Sequence, residues 1–325
     1  MNNKRKRKYH FWGPFILIGA LLICGKPLGA IGGEWVNMAS GTLKELNSVW
    51  GSSWNDVFAV GESGTILHYD GNAWSSMDSG TAKYLYGIWG SAMNDVFAVG
   101  ENGTILHYDG NTWTPMNSGT NQTLWGIWGA SNNDVFTVGG SGYPIANTIL
   151  HYNGSAWSSM NPATIYSISC IWGSSGSNVF AGNMYGSIIH YNGSAWTLIY
   201  SGGGYNIGGI WGSSGSSVFA VKSGGTIFHY DGSAWFPMNT VTLIDLNGVW
   251  GSYRSDVFAV GCDGVILHYA GSAWSSMHTG TTANLNGVWG SSGNDVLAVG
   301  KYGTILYYSL FTIKFRLFLP LLPRS

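Results

Sequence analysis

The sequence predicts an all-β fold, a seven-bladed β-propeller of four-stranded antiparallel blades whose ring is closed by the N-terminal strand. Three observations carry this. A Trp-Gly pair recurs at Trp50, Trp89, Trp128, Trp172, Trp211, Trp250 and Trp289, at intervals of 39 residues with a single interval of 44. A second tryptophan stands 15 residues before each, at Trp35, Trp74, Trp113, Trp157, Trp196, Trp235 and Trp274, so two columns of one repeat absorb 14 of the 17 tryptophans. The ends of the array are complementary: it opens on a fourth strand lacking its first three and finishes on three strands lacking a fourth. Composition agrees. With 45% hydrophobic residues the chain can bury a core, and 50 glycines beside only 9% charged residues suit short strands joined by tight turns. The glycines have no three-residue period, which excludes a collagen.

The elements follow in chain order. Lys4 to Lys8 form a basic segment, Phe11 to Cys24 an apolar run of 14 residues, and Gly25-Lys26-Pro27 ends any helix. Leu28-Gly29-Ala30 resembles a small-residue peptidase site, so residues 1–30 are expected to be a signal peptide, with an uncleaved membrane anchor as the alternative. The expected destination is secreted, periplasmic or at the cell surface. Ile23 stands where a lipobox needs a small residue, which argues against lipidation of Cys24. Only Cys170 and Cys262 would remain after cleavage, so no disulfide framework is expected.

Residues 31–308 carry the repeats. In the unit spanning residues 85–120, strand a is LYGIWG, b is DVFAVG, c is GTILHY, and d runs from Trp113 to Met116. Turn residues separate them: Ser-x-x-Asn-Asp, Glu-Asn-Gly, Asp-Gly-Asn and Asn-Ser-Gly-Thr. Four strands in about 40 residues, seven times over, is a propeller pattern. The long interval comes from extra residues around Tyr143 to Asn147. The strand around Trp35 is expected to complete the last unit, hiding both sheet edges. Residues 309–325, SLFTIKFRLFLPLLPRS, break the repeat and are too short and too charged to span a bilayer. Phe311, Ile313, Phe315, Leu317 and Leu319 alternate as in a strand until Pro320 and Pro323 stop it. This tail is expected to be dispensable for the ring, its use a peripheral membrane or partner contact.

Blades reading V-W-G-S-S-x-x-D-V-F-A-V-G-x-x-G-T-I-L-H-Y-D-G-x-x-W over residues 35–308 resemble the WD40/YVTN/BNR-like repeat propeller superfamily, most of all its exported bacterial members. Similar blades occur in photosystem-assembly-factor-like and sialidase-type propellers. The sialidase-type Asp-box, S-x-D-x-G-x-x-W, is not matched: the turn here is Tyr69-Asp70-Gly71-Asn72-Ala73-Trp74. The resemblance implies an architecture and no particular activity.

Several function classes are excluded by the residues themselves. Six of the 14 basic residues precede residue 31, leaving the remainder at −7, so no basic groove for nucleic acid is expected. His68, His107, His151, His190, His229 and His268 share one place on strand c, with Tyr307 in the seventh unit. Strand c lies two spacings outside strand a, which separates neighbouring copies by roughly 9 Å, too far for one ion to collect them. These imidazoles are expected to be hydrogen-bonded within or between blades; no metal and no cofactor is expected. The tryptophans are expected to pack blade against blade. Asp56, Asp95, Asp134, Asp256 and Asp295 recur before strand b and read as turn residues whose carboxylates satisfy backbone N–H groups, as do Asp70, Asp109 and Asp231 further on. The sequons at Asn102, Asn121, Asn153 and Asn192 fall mostly on the same turns. Outside the first 30 residues and the tail the one arginine is Arg254, too few to clamp a sialic acid carboxylate. Glu34, Glu45, Asp78 and Asp245 form no pair for glycoside hydrolysis, and no nucleophile or metal motif appears, so an enzyme is not expected.

What remains are the positions where near-identical blades differ. The segments before strand a and between strands b and c should emerge on one rim. They carry Tyr84, Tyr86, Trp125, Tyr143, Tyr166 and Tyr205 in four successive units, and Lys44, Glu45, Asn47, Asp245, Asn247, Asn284 and Asn286 elsewhere. The expectation is a secreted, monomeric, non-catalytic module that binds a protein through this aromatic arc. The alternative ligand is a glycan stacked on the same rings, as in a lectin. A purely structural reading, loop drift with aromatic plugs over the core, stands beside both.

Overall fold

The computed structural model describes residues 33–141 and 146–309; the proposed signal peptide, Tyr143 and the tail beyond Ser309 lie outside the described residues. Seven four-stranded antiparallel sheets form the ring. Blade 1 runs through strands a (Leu46–Ser53), b (Asp56–Gly61), c (Ile66–Tyr69) and d (Trp74–Met77). Blade 2 repeats this over residues 85–116, and blades 3 to 6 follow, beginning at Leu124, Ile168, Ile207 and Leu246. Blade 7 takes its a, b and c strands from Leu285–Ser292, Asp295–Gly300 and Ile305–Ser309, and its fourth from Glu34–Asn37. Trp35 pairs with Tyr308 and Asn37 with Leu306, so the chain start closes the ring as expected. Strand c begins at Ile105 in blade 2, not at Gly103, because Asn102 (φ 53°) and Gly103 (φ 67°) turn the chain through the left-handed region. The insertion in blade 3 lengthens one hairpin: strand b runs Asp134–Ser141, strand c Ala146–Tyr152, with Ser141 opposite Ala146.

The cores lie between blades. Strand b of blade 1, DVFAVG, is buried along its whole length because each of its faces meets another blade. Phe58 and Val60 of blade 1 pack with Leu85, Val96, Ala98, Leu106 and Trp113 of blade 2, and the same cluster recurs around the ring. The strand d tryptophan meets the preceding blade's phenylalanine edge-on: Trp113 and Phe58 lie 6.2 Å apart at 82°. Burying such a ring is worth about 4–6 kcal/mol before ordering entropy. The strand a tryptophan explains the Trp-Gly pair. A Cβ on Gly90 would lie 2.6 Å from Cη2 of Trp50, so each indole rests on a glycine of the next blade. Both tryptophan columns are therefore blade-to-blade packing.

The aspartates before strand b are corrected by the structure. Asp56 shares a strand face with Phe58, and His68, opposite Phe58, points to that same face. The Asp56 carboxylate consequently accepts from His68 Nε2 at 2.7 Å and from Ser52 Oγ at 2.5 Å, not from turn amides. His107 with Asp95, His151 with Asp134 and His268 with Asp256 repeat the pair at 2.7 Å, and the Tyr307 hydroxyl donates to Asp295 at 2.7 Å. The c–d turns behave as read: Asp70 Oδ1 accepts the N–H groups of Asn72 and Ala73 at 2.9 and 3.0 Å, and Asn153 and Asn192 do the same.

Blades 4 and 5 break the pair. His190 meets Asn178 Oδ1 at 2.6 Å and His229 meets Ser217 Oγ at 3.1 Å. Burial pushes both imidazoles below their ordinary value of 6.5. The folded state then resists a proton that the unfolded chain accepts, so this stability is present above about 6.5 and is lost as pH falls through the lower folded-state values. Urea midpoints should drop between pH 7.5 and 5.5, and Asn178→Asp should narrow the drop by giving His190⁺ a partner. Identical drops in both proteins would contradict this.

Candidate functional site at the a-strand rim

The first residue of strand a pairs with the last of strand b, Leu46 with Gly61 and Leu85 with Gly100. That register brings the segment before strand a and the b–c turn to one end of each blade. Backbone bonds join them: Glu62 N–H to Glu45 O at 2.8 Å, Glu101 to Tyr84 at 3.0 Å, Cys262 to Asp245 at 2.9 Å. Among the described residues, eight of the fifteen exposed large apolar side chains belong to these segments, against three at the a–b ends. Leu243 and Leu43 are 89% and 83% exposed. The rim is the stickier face.

Three of the six sequence-predicted aromatics come together. Tyr84 stacks on Tyr86 at 6.1 Å and 25°, and Tyr86 lies 4.4 Å from Trp125. Trp125 Nε1 is anchored on Gly140 O at 2.8 Å, and the Tyr84 backbone N–H on the Glu101 carboxylate at 3.0 Å. Desolvation first, then the neighbouring Glu62 and Glu101 carboxylates, raise the Tyr84 and Tyr86 phenols above their ordinary 10.0, so both remain neutral donors. Tyr86 and Trp125 also line an axial cavity of about 180 Å³, shared with Asn47, Asn247 and Asn286. Those asparagines are clasps between blades: Asn47 Nδ2 donates to Leu85 O, Asn247 to Leu285 O and Asn286 to Leu46 O, at 2.8 to 3.0 Å. Three of the seven polar-arc residues are thus committed to the ring.

The other aromatics stand apart. Tyr166 stacks on Tyr185 at 4.3 Å and 8°, a partner that the sequence reading missed. Its signal was the b–c turn of blade 4, Asn183-Met184-Tyr185-Gly186, which departs from the Gly-Glu-x-Gly of blades 1 and 2. Tyr205 is 63% exposed and lies over Lys222 Nζ at 5.5 Å. Lys222 was also missed. It occupies the place of Gly61 and Gly100, is only 7% exposed, and donates to Gly203 O at 3.2 Å, with burial lowering its pKa.

No known protein family and no curated protein matches this sequence. Solved structures do. The chain is similar to "YCF48 bound to D1 peptide", with a TM-score of 0.68 at 15% identity over 86% of this chain and 98% of that one. YCF48 from Cyanidioschyzon merolae gives 0.69 at 14%, over 85% and 99%. The shared property is the propeller fold. Among the described residues no group of three or more side chains could hold a metal ion, and no helix is long and apolar enough to cross a membrane. Cys170 and Cys262 are free thiols, and burial pushes Cys170 up to about 12, which makes it unreactive.

Proposed function

We propose that this protein is an exported, non-catalytic module that binds a protein partner through the a-strand rim. The observation that carries the reading is the Tyr84–Tyr86–Trp125 stack at the mouth of the axial cavity, where blades 1, 6 and 7 place asparagine. Clustered, partly desolvated aromatics ringed by polar groups are the usual anchors of a protein interface. The similar YCF48 structure holds a peptide, which makes peptide binding a natural use of such a ring. In this reading residues 1–30 direct export, the ring is monomeric, and membrane contact is confined to the two chain ends.

Tyr86→Asn with Trp125→Asn tests it, since asparagine at this column clasps the next blade in blades 1, 6 and 7 and the ring should survive. Affinity for a partner captured from the native secretome should fall about 10- to 100-fold, with the far-UV spectrum unchanged. Unaltered capture would move the interface elsewhere, and glycan-array binding lost in the same variant would favour the lectin alternative.

A further inference from the structure

At the opposite ends of the blades, blade 5 lacks the carboxylate that five of the other blades have. Where Asp56, Asp95, Asp134 and Asp256 each hold the strand c histidine at 2.7 Å, blade 5 has Ser217, whose hydroxyl meets His229 at 3.1 Å. The a–b turn of the following blade covers this position: a Cβ on Gly176 would collide with the Asp134 carboxylate, and one on Gly293 with that of Asp256. The residue at that turn position above Ser217 is Arg254, the one arginine among the described residues. A cavity of about 420 Å³ opens there, lined by Ser217, His229, Asp231, Tyr253, Arg254 and Tyr269. Arg254 has no carboxylate within ion-pair distance; all such pairs among the described residues are His–Asp. Asp231, the carboxylate among the lining residues, is engaged with the N–H groups of Ser233 and Ala234 and the Ser233 hydroxyl at 2.7 to 3.0 Å.

We propose that this cavity is a carboxylate-binding site, in which a ligand carboxylate takes the place that aspartate fills in five other blades. It would accept hydrogen bonds from Ser217 and His229 and pair with the forked donors of Arg254. His229 takes its proton from water as the anion enters, so occupancy rises as pH falls. Of the groups facing the imidazole, Asp231 is held down to about 2 by its turn bonds and stays ionised throughout, while Ser217, Tyr253, Tyr269 and Arg254 complete the wall. A peptide C-terminus, an acidic side chain and a free organic acid share this chemistry.

NMR of the His229 Cε1–H signal in the full chain tests the site, with sodium acetate as probe and sodium chloride at equal ionic strength as control. Saturating acetate should raise the His229 titration midpoint by about one pH unit. Arg254→Gly, glycine being the residue of that turn in blades 4, 5 and 7, should weaken the acetate response about tenfold. Ser217→Asp, which restores the residue of five other blades, should abolish it. N-acetylglycine against N-acetylglutamate α-amide separates a terminal from a side-chain carboxylate, and N-acetylglycinamide should do nothing. The proposal is overturned if acetate moves His229 no more than chloride does, or if both variants respond as the wild type.

Discussion

Removal of Glu34–Asn37 should abolish the cooperative fold, and Trp35→Ala alone should cost about 3–5 kcal/mol. The four-residue strand supplies the outer edge of blade 7, hydrogen-bonded along Ile305–Ser309. Trp35, 8% exposed, lies edge-on to Phe258 at 6.2 Å and 5.3 Å from Tyr308, inside the core between blades 6 and 7. Without it Phe258 loses its edge contact, and Ile305–Ser309 becomes an unpaired edge open to other chains. A single large-to-small change of this size should lower Tm by roughly 6–15 °C, and the deletion should give aggregated protein. Calorimetry on both, beside a variant ending at Ser309, locates the closure. Stable protein after deletion of Glu34–Asn37 but not after removal of the tail would assign the closing strand to residues beyond Ser309.

Repetition is why so much of the fold was legible. Each column of the repeat reports one environment seven times, so the four-strand order of each blade, the tryptophan columns and the completion of blade 7 by Trp35 follow from spacing alone. The errors arise where a side chain's direction matters more than its position. Asp56 stands next to a turn and looks like a turn residue. Period-two alternation, however, places it on the Phe58 face, where His68 waits. The rim is less legible for a different reason. Spacing says that Tyr84, Tyr166 and Tyr205 share an end of the ring, but not that Tyr166 meets Tyr185, or that Tyr205 covers Lys222, because those contacts join two loops of independent sequence. Departures from a column were the better guide: Lys222 for glycine and Ser217 for aspartate each mark a place where blade packing does not account for the residue, and Arg254 stands at a turn position that varies from blade to blade.

The Trp-Gly pair predicts a specific non-additivity. The three atoms nearest a Cβ on Gly129 are all in the Trp89 ring, at 2.5 to 2.9 Å, whereas Gly51, Gly90 and Gly251 would also meet backbone oxygen. Gly129 is therefore the copy in which the indole supplies all three of the closest contacts. Gly129→Ala should cost about 1–3 kcal/mol by overpacking, because Trp89 is fixed in turn by Phe97, which it stacks on at 6.3 Å and 27°. Trp89→Ala should cost about 3 kcal/mol or more, since the ring joins the core between blades 2 and 3. In the double variant the methyl group enters space that the indole has left, and alanine suits a strand better than glycine. The second substitution should then be close to neutral, and the sum of the single effects should exceed the double by about 1 kcal/mol or more. Urea denaturation of the four proteins measures this directly. Strict additivity would mean that glycine is kept at this column by its backbone, and that the pairing of the two residues along the sequence is not a packing relation across the blade interface.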